Sequence, residues 1–518
     1  MRFIKKLILI SISLFAISVS ADTPKNTLVI AQRIDEIITL DPAAMFEFAA
    51  MEYANNTYNT LVSYDLDNVA NIKGQVADSW EVSQDGKIYT FILNDNLKFA
   101  SGNPVTADDV VFSLQRVILL DKAPSFLLSQ FGFNKENVTT NIRSINNHTV
   151  ELKLESKFAP TMLLYCLASP ATSIVDKNLL LKHQENGDYG NKWLSTNYAG
   201  SGDFRLGTWQ ANEYLMLERT PNIYNENLVE KVIIRHVRES VTQKLLLKQG
   251  DIDIARNLTK TDGLPKEIAM VSAPKGSLTY MSLNQNHPKL KIPQVRQAIK
   301  YLIDYKGMAE ALFENQVEVH QSFIPKGFFA ADTSNPFSYN LQKAKSLLKE
   351  VGLEDGFDIT MDVYNLELAQ AIQASFATAN IRVKIIPGDS KQIFTKFMTR
   401  KHDVLIATWG TDYQDPHANA STFTLNQNNS DTPKIKTLAW RSGWDIPKIS
   451  VKTLNAATER DPSKREQAYI DLQQEYYSNS PLIVMYQKKD IAILSNKVSG
   501  LVLGPSFDTT SYANVSKG

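Results

Sequence analysis

The chain has 518 residues, and its 55 Lys and Arg balance its 55 Asp and Glu, so the formal net charge is zero. Without a basic block or tail, the composition argues against a nucleic-acid partner and gives no support for binding to a membrane surface. A chain of this length is too long for one hydrophobic core, and we expect about two or three domains of mixed α/β structure. The single cysteine, Cys166, excludes an intrachain disulfide and a cysteine-based metal cluster.

Residues 1–21 are typical of a secretory signal. A charged start with Arg2, Lys5 and Lys6 precedes an apolar run, residues 7–17, and small residues at 19–21 suit cleavage. The run is too short to span a membrane. Because no cysteine follows the cleavage site, we do not expect a lipid anchor. The mature protein is predicted to begin at Asp22 and to be exported.

Apolar spacing and turn residues predict the following elements in chain order. Strands are expected at 27–33, 87–93, 146–154, 278–283, 381–386 and 404–408, and helices at 52–62, from 107, from 293, after 340, at 390–401 and from 462. Thr106 with Asp109 forms a capping box, Asn340 is an N-cap, and Gly352 lies just past the end of the helix that Asn340 begins. The turn at 84–87 predicts a hairpin.

The stretch 403–419 has the clearest functional signal. The order strand, helix, strand through 381–408 predicts a parallel βαβ unit, and ligands bind beyond the carboxyl ends of such strands. Trp409, Gly410, Thr411 and Asp412 fall there, and an aromatic ring, free backbone groups, a hydroxyl and a carboxylate suit an ammonium-bearing ligand. The alternative is a strand end followed by a turn made by Asp412, Asp415 and Pro416, in which both aspartates have only a structural role.

Several segments then resemble one protein family over essentially the whole mature chain. They read LVSYDLDN, VADSWEVSQDGKIYTFILNDNLKFASGNPVTADDVVFSLQR, LMLERTPNIYNEN, VRQAIKYLIDYKGMAEALFENQ and PLIVMYQKKDIAIL. The chain resembles the extracytoplasmic solute-binding proteins of peptide- and nickel-type ABC importers. The resemblance implies a two-lobed periplasmic-binding-protein fold (type II, cluster C) with an extra domain. It places lobe I at 22–58, 198–275 and 490–518, the inserted domain at 59–197, and lobe II at 276–489.

The resemblance also assigns site residues. Asp412 matches the aspartate that grips the α-amino group of a peptide, and Trp409, Gly410 and Thr411 would bind the peptide backbone. Phe46, Glu47 and Phe48 match a ligand-facing segment of the opposite lobe, with ordinary packing as the alternative.

Some positions depart from the family pattern. The segment 365–369 lacks the arginine that holds the ligand carboxylate in dipeptide binders, which leaves Arg441 as a possible replacement or a surface residue. Phe112 lacks the hydroxyl of a ligand-facing tyrosine in some relatives, so core packing is expected there. Gly202 lies in a Gly-Ser-Gly-Asp-Phe segment that replaces the usual Gly-Pro-Tyr. His417 could meet a metal chelate, but no metal-ligand spacing supports it.

Other classes find less support. The chain has no nucleophile elbow, zinc-protease motif or phosphate-binding loop, which argues against a hydrolase. Asp65, Asp67 and Asn68 start like a calcium loop but lack its glycine and glutamate. A periplasmic chaperone or adhesin stays open. The prediction is a monomeric periplasmic receptor, without cofactor, that delivers peptides to an ABC permease and ATPase complex. The alternative solute is an opine, an amine-rich compound or a nickel chelate.

Overall fold

The computed structural model describes residues 22–66, 69–221, 226–256, 258, 263–264, 268–314, 316–433, 435–506 and 509–518. The predicted signal, residues 1–21, and two residues of the calcium-like loop, Asp67 and Asn68, lie outside the described residues. No helix among the described residues is long and apolar enough to cross a membrane.

The strands of the described chain are numbered in sequence order. They are β1 Thr27–Gln32, β2 Val62–Tyr64, β3 Ile72–Gly74, β4 Ala77–Val82, β5 Ile88–Leu93, β6 Ile142–Asn146, β7 Thr149–Lys153, β8 Phe204–Gln210, β9 Tyr214–Arg219, β10 Lys231–His236, β11 Ile254–Ala255, β12 Ala269–Leu283, β13 Val317–Val319, β14 Phe357–Val363, β15 Ile381–Pro387, β16 Val404–Gly410, β17 Leu482–Leu494, β18 Val498–Ser499 and β19 Ser516–Lys517.

The helices lie between these strands and make the class mixed α/β, as predicted. They are α1 Phe48–Thr57, α2 Ala107–Leu120, α3 Phe126–Ser129, α4 Val138–Asn141, α5 Pro160–Leu167, α6 Lys177–Lys182, α7 Asn191–Leu194, α8 Ser240–Gln249, α9 Pro293–Leu302, α10 Tyr305–Phe313, α11 Leu341–Lys349, α12 Leu366–Ala377, α13 Ser390–Met398, α14 Pro416–Thr424, α15 Leu438–Arg441, α16 Pro447–Thr458 and α17 Pro462–Asn479, with short 3-10 turns at Ala123–Ser125 and Pro170–Thr172.

One large sheet runs through the molecule in the order β15-β14-β16-β12-β17-β11-β1-β10-β9-β8, with β13 added on β17. Its centre is the antiparallel pair of the two longest strands, β12 and β17. The pairing shifts register between Pro274 and Leu278, so the two halves of the pair are separated by an irregular step. Such a step bends a ladder and redirects side chains. It lies where the sequence suggests the boundary between the lobes, which stays a prediction.

Hydrophobic residues gather in separate clusters on either side of this step. One cluster joins β1 and α1 to the small β4-β5-β7-β6 sheet of the predicted inserted domain and to the chain end. Two others are built wholly from residues between Leu278 and Tyr486. The long strands β12 and β17 pair on both sides of the step.

Most local predictions are confirmed. The capping box at Thr106 and Asp109 begins α2, and the Asn340 side chain accepts a hydrogen bond from the Lys343 N–H at the start of α11. Gly352 follows α11 with φ +67°, as a C-terminal glycine does. The hairpin turn at 84–87 connects β4 and β5.

Two expectations need correction. Helix α1 begins at Phe48 and ends at Thr57, instead of covering 52–62, because Ala49, Ala50 and Met51 form its buried face and Tyr58 is extended. Strands β15 and β16 are parallel in one sheet, as predicted, but they are not neighbours. Strand β14 lies between them and pairs in parallel with both.

Candidate ligand-binding site

A cavity of 320 Å³ lies between the start of α1 and the end of β16. Phe46 and Phe48 line it from one side, and residues 409–412 line it from the other, together with Met51, Thr408, Gln414 and Ser506. The structure therefore brings together two segments that the sequence separates by more than half of the chain, both of them predicted to face the ligand.

The end of β16 reaches the cavity because β12 holds it on one edge only. Gly410 lies opposite Ser277, and the Thr411 N–H donates to the Gly276 carbonyl at 2.8 Å. On its other edge, β16 pairs with β14 only at Val404 and Leu405 in the described structure. Since backbone groups alternate between the two edges of a strand, the N–H and C=O of Gly410 point to the open edge.

Asp412 carries a carboxylate that the protein leaves uncompensated. Its side chain is partly buried, and among the described residues no hydrogen bond or ion pair reaches it. Burial alone raises the pKa of Asp412 to about 7. A desolvated carboxylate without a partner is costly, and such groups concentrate at functional sites.

Asp415, three residues on, shows what a structural carboxylate looks like here. It is fully buried, accepts from Arg465 at 2.6 Å and caps α14 by accepting from the His417 N–H at 2.9 Å. Thr161 adds a further hydrogen bond at 3.2 Å. The turn role that the sequence left open for both aspartates therefore belongs to Asp415.

Aromatic side chains form the walls of the cavity. The Trp409 indole N–H donates to Asn419 Oδ1 at 3.1 Å, which fixes the ring. Phe46 packs edge-on against Phe126 with ring centroids 5.4 Å apart, whereas Phe48 is 48% exposed. The Thr411 hydroxyl is buried without a hydrogen-bond partner among the described residues, which leaves it available to a ligand.

Other predicted residues lie elsewhere. Glu47 precedes α1 and accepts from the Phe46 N–H at 3.2 Å, and it does not line the cavity. The Arg441 guanidinium lies over Phe397 at 5.3 Å and donates to the Lys436 carbonyl at 2.9 Å. Its proposed role at the ligand carboxylate has no geometric support. Phe112 packs against the core near Tyr189, as expected.

His417 is buried beside the Asp415–Arg465 pair, and burial lowers its pKa to about 4. It is therefore neutral near physiological pH, and its ring does not line the cavity. No group of His, Cys, Asp and Glu in the described parts of the chain could hold a metal ion.

A second, larger cavity of 850 Å³ adjoins the first, since Phe48, Thr408 and Gly410 line both. Its wall carries cationic side chains, including Lys275 and Lys488, from the irregular step between β12 and β17. Sequence analysis missed this part of the site. The only signal is the Lys-Lys-Asp run that interrupts the apolar pattern of β17.

Known proteins share this architecture. A solved DppA from Helicobacter pylori, in complex with peptide STSA, superposes with a TM-score of 0.75 at 24% identity, covering 95% of this chain and 98% of that one. A dipeptide-binding protein from Pseudoalteromonas sp. SM9913, in complex with Met-Leu, gives a TM-score of 0.75 at 20% identity, covering 95% and 100%. These likenesses confirm the predicted two-lobed fold.

Proteins of similar sequence lead to the same conclusion as these structures. A probable D,D-dipeptide-binding periplasmic protein, DdpA of Escherichia coli (strain K12), is 28% identical over 507 residues, 95% of each chain. The glutathione-binding protein GsiB of Salmonella typhi is 23% identical over 488 residues, 91% of each. Residues 71–431 match the family described as bacterial extracellular solute-binding proteins, family 5 Middle. The chain thus belongs to the bacterial extracellular solute-binding proteins of family 5, and the resemblance seen in its sequence is confirmed.

Proposed function

We propose that this protein is the periplasmic receptor of an ABC importer and that it captures a peptide by gripping its α-ammonium group at Asp412. The uncompensated carboxylate of Asp412, at the end of β16 and facing the cavity, is the observation that carries this proposal. The relatives named above support it, because their names and complexes refer to dipeptides, glutathione and short peptides.

The charge pair supplies a sufficient driving force. A carboxylate and an ammonium about 4 Å apart attract by roughly 4 kcal/mol at an effective dielectric constant of about 20, before desolvation is subtracted. The surrounding protein already desolvates Asp412 in part, so ligand binding adds only the rest of the desolvation cost. Removal of one partner from a buried pair typically costs about 3–5 kcal/mol.

The open edge of β16 suits a peptide backbone. An extended peptide added beside Gly410 would form main-chain hydrogen bonds as an extra strand. Trp409 and Phe48 would flank it with apolar surface. Recognition of this kind depends on contacts with the backbone and the amine of the peptide, and it depends little on the peptide side chains.

Delivery then follows from closure of the two lobes about β12 and β17, with the closed form recognised by the permease and its ATPase. We further propose that the signal at residues 1–21 is cleaved before Asp22, that the mature protein carries no lipid, and that it acts as a monomer. The solute leaves unchanged, since the role of the protein is capture and release.

Tryptophan fluorescence provides the test, because Trp409 lines the cavity. Peptides of two to six residues would be titrated in free and N-acetylated forms. We expect the free peptides to change the fluorescence, and acetylation or Asp412→Asn to weaken binding at least about tenfold, or ~1.4 kcal/mol. Asp445→Asn, the same change at an exposed site, is the matched control.

Equal binding of free and acetylated peptides would refute the ammonium role of Asp412. No response to any peptide would instead favour a non-peptide solute, such as an opine, an amine-rich compound or a metal chelate. Mass spectrometry of the compounds that co-purify would then identify the solute.

A further inference from the structure

The larger cavity has an unusual charge balance. Among the described residues, five cationic side chains line it, namely Arg33, Arg256, Lys275, Lys488 and Lys489, against one carboxylate, that of Asp490. It is open to the smaller cavity along Phe48, Thr408 and Gly410. Any ligand that reaches from Asp412 along β16 therefore passes from an acidic end of the cleft to a basic one.

Part of this positive charge is internally neutralised. Arg256 bridges Glu52 at 3.1 Å and Asp490 at 2.8 Å, and all three side chains are at most 9% exposed. Lys275 Nζ lies 3.6 Å from the same carboxylate of Asp490. The two acids thus balance Arg256 and Lys275. Outside this group, Arg33 pairs with Asp35 at 2.6 Å.

Lys488 and Lys489 remain as excess charge. Neither side chain forms an ion pair or a side-chain hydrogen bond with any described residue, although both line the cavity. Lys488 is exposed and Lys489 is partly buried. Glu318, which lies opposite Gln487 on the neighbouring strand β13, pairs with Lys326 at 3.2 Å.

The backbone explains why these lysines meet at one place. Regular pairing places Pro274 opposite Lys489 and Leu278 opposite Gln487, so residues 275–277 form the longer side of the irregular step and face Lys488. In a regular ladder, successive side chains point to opposite faces. The step breaks that alternation and allows Lys275, Lys488 and Lys489 to line the same cavity. We call these three residues the hinge lysine cluster.

Crowding of like charges is costly at this place. Desolvation by the surrounding protein lowers the pKa of Lys488, although part of its side chain reaches solvent, and the neighbouring charge of Lys275 lowers the pKa further. Burial also lowers the pKa of Lys275, with Arg256 acting in the same direction and Asp490 against it. An anionic ligand group at this place would relieve the repulsion.

From this arrangement we infer that the hinge lysine cluster binds a carboxylate of the ligand, so that the cleft takes a zwitterion with its ammonium at Asp412 and its carboxylate at Lys488 and Lys489. This inference rests on the proposed peptide function and names the missing carboxylate partner. Strand β12 connects the two ends, since its residue Ser277 lies opposite Gly410 of β16 and its irregular step faces Lys488 of β17. The site therefore selects peptides with a free C-terminus or with an acidic side chain near it.

The test compares alanine peptides of two to six residues as free acids and as C-terminal amides, by isothermal titration calorimetry. Amidation should weaken binding by the wild type at least about tenfold, because truncation of a desolvated charge pair has a large effect on affinity. Lys488→Gln and Lys489→Gln should each weaken the free acid several-fold and leave the amide nearly unchanged. Lys384→Gln, the same change on the exposed face of β15, should alter neither.

The controls separate the possible failures. Since Lys488 reaches solvent and forms no ion pair or side-chain hydrogen bond with a described residue, its substitution is expected to preserve the fold, and a thermal melt checks this. A C-terminal amide peptide that contains an aspartate distinguishes the two sources of the carboxylate. If it binds more tightly than the alanine amide, the cluster binds side-chain carboxylates. If it binds no more tightly, the cluster binds the C-terminal carboxylate. Equal affinity for acid and amide, or equal losses for both in Lys488→Gln, would overturn the inference while leaving amine recognition intact. Failure of every peptide to bind would overturn both proposals.

Discussion

Affinity for a peptide with a free amine should fall steeply as the pH is lowered from about 7 to about 5. Burial raises the pKa of Asp412 to about 7, and only the ionised carboxylate attracts an ammonium group. In this range the peptide amine stays largely protonated and its C-terminal carboxylate stays ionised. The perturbation therefore acts on the receptor and leaves the charge of the ligand almost constant.

The magnitude follows from the fraction of Asp412 that is ionised. About half of the carboxyl groups are ionised at pH 7 and roughly 1% at pH 5, so the apparent affinity should fall roughly 50-fold, or about 2.3 kcal/mol. A bound ammonium favours the charged form and lowers the pKa of Asp412. Binding near pH 7 should therefore release about half a proton per peptide.

Isothermal titration calorimetry in two buffers of different ionisation enthalpy measures both the affinity and the released proton. Lys300, whose pKa burial lowers to about 7, titrates over the same range, but its buried side chain donates to the Tyr477 carbonyl and lines neither cavity. Asp412→Asn separates the two, because it should remove the pH dependence. A wild-type affinity that is flat between pH 5 and 7, or an unchanged slope in Asp412→Asn, would refute the reasoning.

Two further substitutions test the surroundings of the site by their effect on stability. Asp415→Asn breaks a fully buried pair with Arg465, and we expect it to lower the free energy of unfolding by about 3–5 kcal/mol in urea denaturation. Asp412→Asn removes a carboxylate whose charged form is unfavourable in the folded protein, so the melting temperature at pH 7 should stay unchanged or rise. Equal losses of stability in Asp412→Asn and Asp415→Asn would contradict the distinction between these two aspartates. Gly202→Ala would place its Cβ 2.4 Å from the Thr57 carbonyl carbon, so the loop must shift, at a cost of about 1–3 kcal/mol. If Gly202→Ala has the same urea midpoint as the wild type, the loop can shift to accept the Cβ without loss of stability, and this expectation is wrong.

Elements with strong local signals could be predicted from the sequence. The apolar run of β16 and the capping residues of α2 and α11 depend on neighbours within a few positions. Strand β12 was predicted only in its second half, residues 278–283. Its first half, from Ala269, is largely exposed and carries no apolar periodicity, and it becomes a strand only because β17 pairs with it.

In the site, too, features set by local sequence could be predicted and features set by distant contacts could not. Asp412 could be placed at a strand end, but its lack of a partner could not, because partners of a carboxylate come from distant parts of the chain, as Arg465 does for Asp415. Arg441 has the right charge for a carboxylate anchor, yet its place is set by contacts with aromatic residues of α13. Lys275 and Lys488 meet only through the irregular step between two strands from distant parts of the chain. No local sequence pattern predicts a contact between residues so far apart in the chain.

The charges that the protein leaves uncompensated bear on when the cleft closes. Closure without a ligand would remove water from Asp412 and from the excess charge at Lys488 and Lys489, with no counter-charge supplied in return, and buried unpaired charges are strongly unfavourable. A zwitterionic ligand compensates both ends at once, and it binds the closed form better than the open form by that difference. A ligand shifts a conformational equilibrium only by its differential affinity for the two states. On the proposed roles of these residues, the same groups attract the solute and oppose closure without it, so occupancy and closure would be coupled, and a permease that recognises the closed form would receive mainly loaded receptor.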